Sequence, residues 1–302
     1  MRDFLNSFQK LEFDKVKKYI QRYCISDLGR EQIEHLVPSS DIPTIKKSLS
    51  LVSEMKQLLE SDNPLPIENI FDIRASIQRS SIDNYILSSE DLFQIKQLLK
   101  TSRDIRTYFN QRLKVYPLLS ERVKNIHIDK ILEFNIARAI DDYGKVKDDA
   151  SKELFSIRKQ IIDKSYAIKR NLESLLKSIV GADWVQEEII TTREGRMVIP
   201  VKVEHKNRLP GFIHSASASG ATVYIEPAET LEMNNEIRTL TFQEQREIEK
   251  ILKELTKHVR EAKDNIQGNI EILADIDFIQ AKAKYSIQII GAEPRISSEG
   301  TI

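Results

Sequence analysis

Between positions 193 and 225 the sequence gathers side chains that can hold phosphate groups. Five basic residues stand there against two acidic residues, in a chain whose 46 basic and 46 acidic residues give zero net charge. The candidate nucleic-acid ligands are Arg193, Arg196, Lys202, His205, Lys206, Asn207, Arg208, Ser217 and Ser219. Lysine, arginine, asparagine and serine are common phosphate contacts. The pattern predicts local nucleic-acid binding, and it leaves open a solvated hairpin with scattered charge.

Other clusters suggest catalysis, but none has the spacing that the chemistry requires. The chain has no G-x-x-x-x-G-K-[ST] run, and the serine-rich segment 215–220 lacks the lysine and helix of a phosphate-binding loop. His214 and Ser215 are strand neighbours, which point to opposite faces, and no G-x-S-x-G elbow surrounds them. The five histidines have no ligand-pair spacing. We therefore expect no enzyme activity, catalytic residue, cofactor or metal in this chain.

The composition is typical of a helical protein from a reducing compartment. The 302 residues include only 9 glycines and 9 prolines, with 30% charged residues. This length suits one large domain or two small ones. Cys24 is the only cysteine and lies in an apolar run, so we expect it to be buried and unbridged. No apolar run approaches the roughly 20 residues that span a bilayer, and no signal segment begins the sequence. We expect a cytoplasmic protein without membrane contact.

A β-like segment, 184–227, interrupts helical patterns. Its β-branched residues cluster in short runs, at Val198, Val201, Val203, Val223 and Ile225. Turn residues separate the runs, at 193–195, 207–211 and 219–220. Four antiparallel strands are the simplest arrangement. Pro200 is expected at a sheet edge or a bulge, because proline has no N–H to donate.

Two long helical segments, 151–183 and 228–266, flank the strands. The first carries a heptad-like apolar seam at Leu154, Ile157, Ile161, Ile168, Leu172, Leu175 and Ile179. The second carries one at Ile248, Leu252, Leu255, Val259, Ala262 and Ile266. These seams predict an antiparallel coiled coil about 45 Å long, at ~1.5 Å per residue. Polar positions near the strands, including Asn234 and Asn235, predict looser pairing there. Packing of each seam on a different helix is the alternative.

Several stretches resemble a known family. Arg196–Lys202, Gly211–Pro227 and Leu231–Ile237 are similar to the core and clamp of the MutS family. The branch resembled is the bacterial paralogue that lacks the mismatch-recognition domains. Leu11–Val16, Ala139–Ser151 and Leu273–Ala283 extend the similarity across nearly the whole chain.

The resemblance implies a mainly α fold, with a helical core and long antiparallel coiled-coil lever helices that carry a small antiparallel β clamp at their tip. The implied domains are a helical core at 1–150, a first lever helix at 151–183, the clamp at 184–227 and a second lever helix at 228–266. Residues 267–302 return to the core and lead toward an ATPase domain. That domain would begin beyond Ile302, so the resemblance assigns ATP and Mg²⁺ to residues outside this chain.

The resemblance also implies a function for the complete protein. It would be a homodimeric ATPase that binds branched or double-stranded DNA and restrains homologous recombination, with a possible nuclease domain. Two alternatives stay open: a factor that grips ribosomes or ribosomal RNA after collisions, and a helical scaffold for self-association. A basic patch at the tip of the β segment would favour nucleic acid, whereas an apolar tip would favour self-association.

Overall fold

The computed structural model describes residues 10–61, 64–178, 185 and 190–296. The chain divides into a helical unit, residues 1–145 with 252–302, and a sheet unit, residues 146–251. Within the described residues the fold is mainly helical with one small antiparallel sheet of four strands, as the sequence predicts. Most of the predicted strand segment before Ile190, the seam position Ile179 and the end of the chain lie outside the described residues.

The helical unit is built from short and medium helices packed around one long helix. These are α1 (Phe13–Gln21), α2 (Asp27–Glu34), α3 (Ile42–Glu60), α4 (Arg74–Ser80), α5 (Ser89–Asn110), α6 (Pro117–Val123), α7 (Lys130–Ala139) and α10 (Lys263–Gln288). Helix α10 contacts α1 to α5 and buries residues on most of its faces. This burial places α10 at the centre of the helical unit.

Helix α5 begins with a capping box, which the spacing of Ser88 and Asp91 in the sequence predicts. The backbone N–H of Asp91 donates to Ser88 Oγ at 3.0 Å, and the N–H of Ser88 donates to Asp91 Oδ2 at 3.1 Å. Two helix-end donors are thereby satisfied by the reciprocal side chains.

Cys24 is buried and free, and burial together with the charge of Asp277 raises its thiol pKa to about 12.

Asp277 connects the central helix α10 to the start of α2. Its carboxylate is fully buried and accepts hydrogen bonds from the backbone N–H groups of Ile25 and Ser26, both at 2.9 Å, and from Ser26 Oγ at 2.6 Å. Ser26 Oγ in turn accepts from Gly29 N–H at 3.0 Å and caps α2. A Cβ at Gly29 would lie 2.3 Å from Asp277 Oδ2, so only glycine allows this approach.

The sheet unit combines two long helices with four strands. Helix α8 (Lys152–Ser178) precedes β1 (Thr191–Arg193), β2 (Arg196–Lys202), β3 (Gly211–Ala216) and β4 (Thr222–Pro227), and helix α9 (Leu231–Glu261) follows. The strand order is β1-β2-β4-β3, and the three neighbouring pairs are antiparallel. The second predicted helical segment is not continuous to Ile266, because α9 ends at Glu261 and α10 begins at Lys263. The boundary of the sheet unit at Ile251 falls within α9.

One face of the sheet packs on α8 and forms the core of the unit. Fully or nearly fully buried side chains from both sides meet there: Ile168, Leu172, Leu176, Ile199, Val201, Leu209, Val223 and Ile225. The core residues alternate along β2 and β4, because successive side chains of a strand point to opposite faces. Val198 and Glu226, on the other face, are also buried. The helical residues belong to the predicted seam, except that Leu176 is buried where the sequence pattern favoured Leu175.

Pro200 was expected on an edge strand or at a bulge, but it lies on β2, which pairs with β1 on one side and with β4 on the other. Only the part of β2 around Pro200 lacks pairing with β1. Strand β1 pairs with β2 as far as Thr191↔Val198. Beyond Val198, the contact that the structure describes on that side is a single bridge from Val185 to Val201. Pro200 is opposite Tyr224 of β4. The proline is tolerated because the ladder with β1 has already ended.

No helix within the described residues is both long enough and apolar enough to cross a lipid bilayer.

Candidate nucleic-acid interface

A tight hairpin between β1 and β2 positions the first two candidate residues. Arg193 and Arg196 are register partners across a two-residue turn. Glu194 and Gly195 both have positive φ, 50° and 76°, which identifies the type I′ turn that suits a twisted hairpin. Partners in an antiparallel pair project to the same face of a sheet, so the two arginines begin side by side. The structure nevertheless gives them different roles.

Arg196 is bound inside the sheet unit. Its Nη1 donates to both carboxylate oxygens of Glu226, at 2.7 and 2.9 Å, and its Nη2 donates to Asn235 Oδ1 at 2.7 Å. The Arg196 side chain is 13% exposed and that of Glu226 is 0% exposed. His214 Nε2 lies 2.6 Å from Glu226 Oε2. Arg196 is thus an internal ion-pair partner, a role that the sequence pattern did not show, and it has little capacity left for a phosphate.

A β-bulge directs His214 toward this carboxylate. The register of β3 on β4 shifts between Ile213 and Ser215, which leaves His214 as the extra residue. Bulges of this kind re-aim a side chain within a strand. The sequence interpretation assumed a regular strand at this point. The carboxylate of Glu226 therefore joins β2, β3 and β4 from one buried position.

Asn234, on the first turns of α9, completes the ladder of β2. Its amide accepts from Met197 N–H at 3.3 Å and donates to Met197 C=O at 3.4 Å, and its side chain is buried. The pairing of β2 with β4 extends only from Ile199 to Lys202, so Met197 has no strand partner on that side. The polar residues that predicted looser helix pairing here instead bind the sheet. A buried N–H and C=O need such partners.

Arg193 is exposed at the end of β1 and lies over an aromatic ring. Its guanidinium carbon is 4.1 Å from the centroid of Tyr224, a half-buried residue of β4. Stacking on the ring holds the guanidinium while its donors remain available to an anion. Tyr224 was not among the predicted site residues.

Two of the exposed cations among the candidate residues lie on the 3₁₀ turn Val203–Arg208, between β2 and β3. Lys206, Asn207 and Arg208 are exposed, and neither cation forms an ion pair with a described residue. His205 Nε2 is 3.7 Å from Glu204 Oε1. Lys202 is half-buried at the end of β2. Buried Leu209 anchors the turn in the core of the sheet unit, which fixes the backbone from which the cations project.

The two candidate serines belong to the loop between β3 and β4. Ser217 Oγ accepts from the N–H of Thr222 at 3.1 Å and lies 3.3 Å from Ser219 Oγ. Gly220 has φ 72° and donates its N–H to Ser217 C=O at 2.8 Å. Ser219 is exposed, whereas Ser217 is half-buried and engaged within its own loop. These hydroxyls close a turn, and no described contact joins them to the cations.

The arrangement leaves a modest positive surface. With Arg196 neutralised by Glu226, the exposed lysine and arginine residues between 193 and 225 are Arg193, Lys206 and Arg208, and the acidic residues are Glu194 and Glu204. Exposed cations that are spaced along a surface in this way suit the phosphate backbone of a nucleic acid. The sequence could have indicated the role of Glu226, because an acidic residue within an apolar strand requires a partner when the strand is buried. Among the described residues, no group of three or more His, Cys, Asp or Glu side chains could hold a metal ion.

Over nearly its whole length the chain is similar to bacterial proteins named endonuclease MutS2. It is 36% identical over 298 residues to the protein of Alkaliphilus oremlandii, which covers 98% of this chain and 38% of the relative. The match to the Geobacillus sp. protein is 36% over 295 residues, with 97% and 38% covered. The match to the Clostridioides difficile protein is 34% over 296 residues, with 97% and 37% covered.

The chain spans less than two fifths of the length of these relatives. The matches support a relation to MutS2 proteins across the helical unit and the sheet unit alike. No protein-family model matches the chain.

Proposed function

We propose that the sheet unit is the DNA-binding part of a MutS-family protein related to MutS2. The observation that carries this proposal is the pair of exposed cations Lys206 and Arg208 on an anchored 3₁₀ turn. Phosphate contacts from such side chains supply affinity and position a protein on DNA without reading its sequence. The names of the relatives make DNA the expected partner.

In this proposal α8 and α9 act as antiparallel lever helices that carry the sheet as a clamp. Arg158 Nε donates to Glu244 at 2.8 Å, and Lys164 Nζ donates to Glu236 at 2.5 Å. As the residue number rises along α8, that of its partner falls along α9, which is the antiparallel order. Burial makes charging Arg158 unfavourable, but hydrogen bonds to Glu244 and Asp148 outweigh this and raise its pKa. The bond to Glu244 therefore ties α9 to a charged guanidinium of α8.

For the complete protein we propose a dimeric ATPase that binds branched DNA and restrains recombination. ATP and Mg²⁺ would act in residues outside this chain, and the present chain would transmit force and contact DNA without hydrolysing either. Turnover of ATP or cleavage of DNA by this chain, at a rate that survives repeated purification, would contradict that division of roles.

The experiment compares two double variants that each remove two positive charges. Lys206→Ala with Arg208→Ala tests the sheet unit. Lys46→Ala with Lys47→Ala is the matched control, because these exposed lysines are adjacent on α3 of the helical unit. Branched-DNA binding by the 302-residue chain is measured as a function of salt concentration, with linear duplex and ribosomal RNA as parallel ligands.

The sheet variant is expected to lose affinity and to reduce the slope of log K against log salt by about two, since each neutralised phosphate contributes about 0.9. The control is expected to match the parent chain. Equal loss in both variants, or loss in the control alone, would overturn the assignment to the sheet unit. Tighter salt-dependent binding of ribosomal RNA than of either DNA would make RNA the ligand instead.

A further inference from the structure

The face of the sheet opposite α8 carries an exposed aromatic residue that the phosphate contacts do not use. Phe212 is 56% exposed at the start of β3. Its register partner is Glu226, which shares this face with Arg196. Because Phe212 precedes the bulge at His214, the regular alternation of β3 against β4 still applies to it.

Phe212 has a second aromatic residue close to it on the same face. Tyr224 is two positions from Glu226 along β4, so Phe212 and Tyr224 are diagonal neighbours across the two strands. Diagonal positions are within reach of aromatic side chains. Arg193 covers the Tyr224 ring at 4.1 Å. The face thus presents one open aromatic ring beside an arginine-stacked one.

The charge around these rings suits a polyanion. Arg193 is exposed on this face, and Arg208 lies four residues before Phe212 in the turn that leads into β3. The nearest acid in the register, Glu226, is already paired with Arg196 and bonded to His214. A phosphate that approached Phe212 would therefore meet cations, and the buried carboxylate of Glu226 is already compensated.

An exposed ring beside cations recognises a nucleotide by stacking on the base and pairing with the phosphate. In a continuous duplex the faces of the bases are covered by their neighbours, whereas unpaired nucleotides expose them. Small sheets that carry aromatic residues bind single strands in this way, with little sequence preference.

We propose that Phe212, beside the Arg193–Tyr224 stack, is a stacking site for unpaired nucleotides such as those at an opened DNA branch. The inference rests on the proposed DNA-binding function and deepens it. The phosphate contacts hold any nucleic acid, and Phe212 adds affinity where a base is free. Branch preference then arises from the strand opening itself, without reading of base sequence.

The test uses the 302-residue chain with Phe212→Ala, Phe212→Leu and Phe212→Trp. Leucine keeps apolar bulk without a π face, whereas tryptophan keeps the π face. Ile213→Ala is the matched control, because Ile213 is adjacent on β3 and 50% exposed. The ligands are a short single strand with 2-aminopurine in place of one adenine, a branched junction with unpaired nucleotides, and a linear duplex. The fluorescence of 2-aminopurine falls when its ring stacks.

Phe212→Ala and Phe212→Leu are expected to weaken single-strand and junction binding about tenfold, as loss of one base stack does. They are also expected to abolish the fluorescence quenching. Duplex affinity and the salt slope should stay as in the parent chain, because no charge is removed. Phe212→Trp and Ile213→Ala should retain both binding and quenching. Unchanged thermal unfolding would verify that each variant is folded.

The outcomes distinguish failure of the stacking site from failure of the proposed DNA-binding function. If Lys206→Ala with Arg208→Ala weakens duplex binding while Phe212→Ala changes nothing, the stacking site is refuted and the DNA-binding function stands. Equal losses from Phe212→Ala and Ile213→Ala would refute stacking, because Ile213 points to the other face of β3 and such losses would reflect a general disturbance of the strand. If neither the charge variant nor the Phe212 variants alter nucleic-acid binding, the proposed function itself fails.

Discussion

Each unit of this protein contains a fully buried carboxylate, and the two are stabilised by different means. Asp277 in the helical unit and Glu226 in the sheet unit are both 0% exposed. Asp277 accepts from two backbone N–H groups and one hydroxyl, all at the start of α2. Glu226 instead takes two bonds from the cationic side chain of Arg196 and one contact from His214.

The difference shows how a buried charge can alter the surface. The backbone and hydroxyl donors around Asp277 are neutral, and the positive end of a helix favours an anion there without a cation. The donors around Glu226 include an arginine that would otherwise contribute to the positive surface of the sheet unit. A count of basic residues along the sequence therefore overstates the charge available to phosphate. Only the position of the acidic partner tells which arginine is used internally.

Removal of Asp277 is expected to have the largest effect on stability. Asp277→Ala leaves two backbone N–H groups and the Ser26 hydroxyl without an acceptor, and each unsatisfied buried donor costs about 1–3 kcal/mol. We expect the free energy of unfolding of the helical unit to fall by about 4 kcal/mol. Urea unfolding monitored by helical circular dichroism measures it.

Glu271→Ala is the matched control for Asp277, since Glu271 is exposed on the same helix. Its effect should stay within about 0.5 kcal/mol. Similar unfolding midpoints for the two variants would show that the buried acceptor is not needed to hold α2.

Breaking the Arg196–Glu226 pair is expected to have the next largest effect. Glu226→Gln and Arg196→Met should each destabilise the sheet unit by about 3 kcal/mol, because either change leaves a buried charge without its partner. The double variant should lose less than the sum of the two by more than about 1 kcal/mol, which is the coupling of a direct contact. Thermal unfolding of the four proteins completes the cycle.

Glu229→Gln serves as the control for Glu226, because Glu229 is an exposed acid three residues away. Additive effects in the double variant would mean that Arg196 and Glu226 act independently. In that case Arg196 would return to the set of residues available for phosphate.

The carboxylate of Asp91, whose side chain is 15% exposed, gives the smallest effect and a dependence on pH. Burial alone would raise the pKa of Asp91, but hydrogen bonds from Ser76 and Ser88 and the charge of Arg79 lower it below its ordinary value. A folded-state pKa below the unfolded value of ~3.9 adds stability above that pH, and this stability is lost as pH falls through the folded-state pKa.

Ser88→Ala removes the N-cap bond and is expected to cost about 1 kcal/mol at neutral pH. The cost should shrink as pH falls through the folded-state pKa of Asp91, which lies below the unfolded value of ~3.9, because protonation of Asp91 removes its charged hydrogen bond with the Ser88 hydroxyl. Ser89→Ala, one residue further along α5, is the control. A cost that is independent of pH from neutral to acid would contradict the role given to Asp91.

The features predicted best from the sequence are those decided within a few residues. Gly195 and the β-branched runs on either side of it predicted the hairpin, because a type I′ turn requires positive φ. Ser88 and Asp91 predicted the start of α5, because a capping box closes over three residues. The break in the second long helical segment at Ala262 was missed, because the apolar spacing continues across it into α10.

The candidate interface was predicted in outline, and its division of roles was not. Lys206 and Arg208 are exposed cations, as their place in a turn suggested. Phe212 and Tyr224 carry no signal of their own, since apolar and aromatic residues are ordinary in strands. Their exposure depends on which face of the sheet α8 covers, and the strand pattern alone does not decide that.

By itself, the sequence determined the helical character, the four antiparallel strands and the turns between them, because backbone preferences and apolar periodicity act locally. Tertiary structure alone decided the pairing of Arg196 with Glu226, 30 residues apart, and of Ser26 with Asp277, 251 residues apart. A buried carboxylate must find donors wherever the fold brings them, and no local rule specifies that partner. The same contacts decided which cations remain at the surface of the sheet unit.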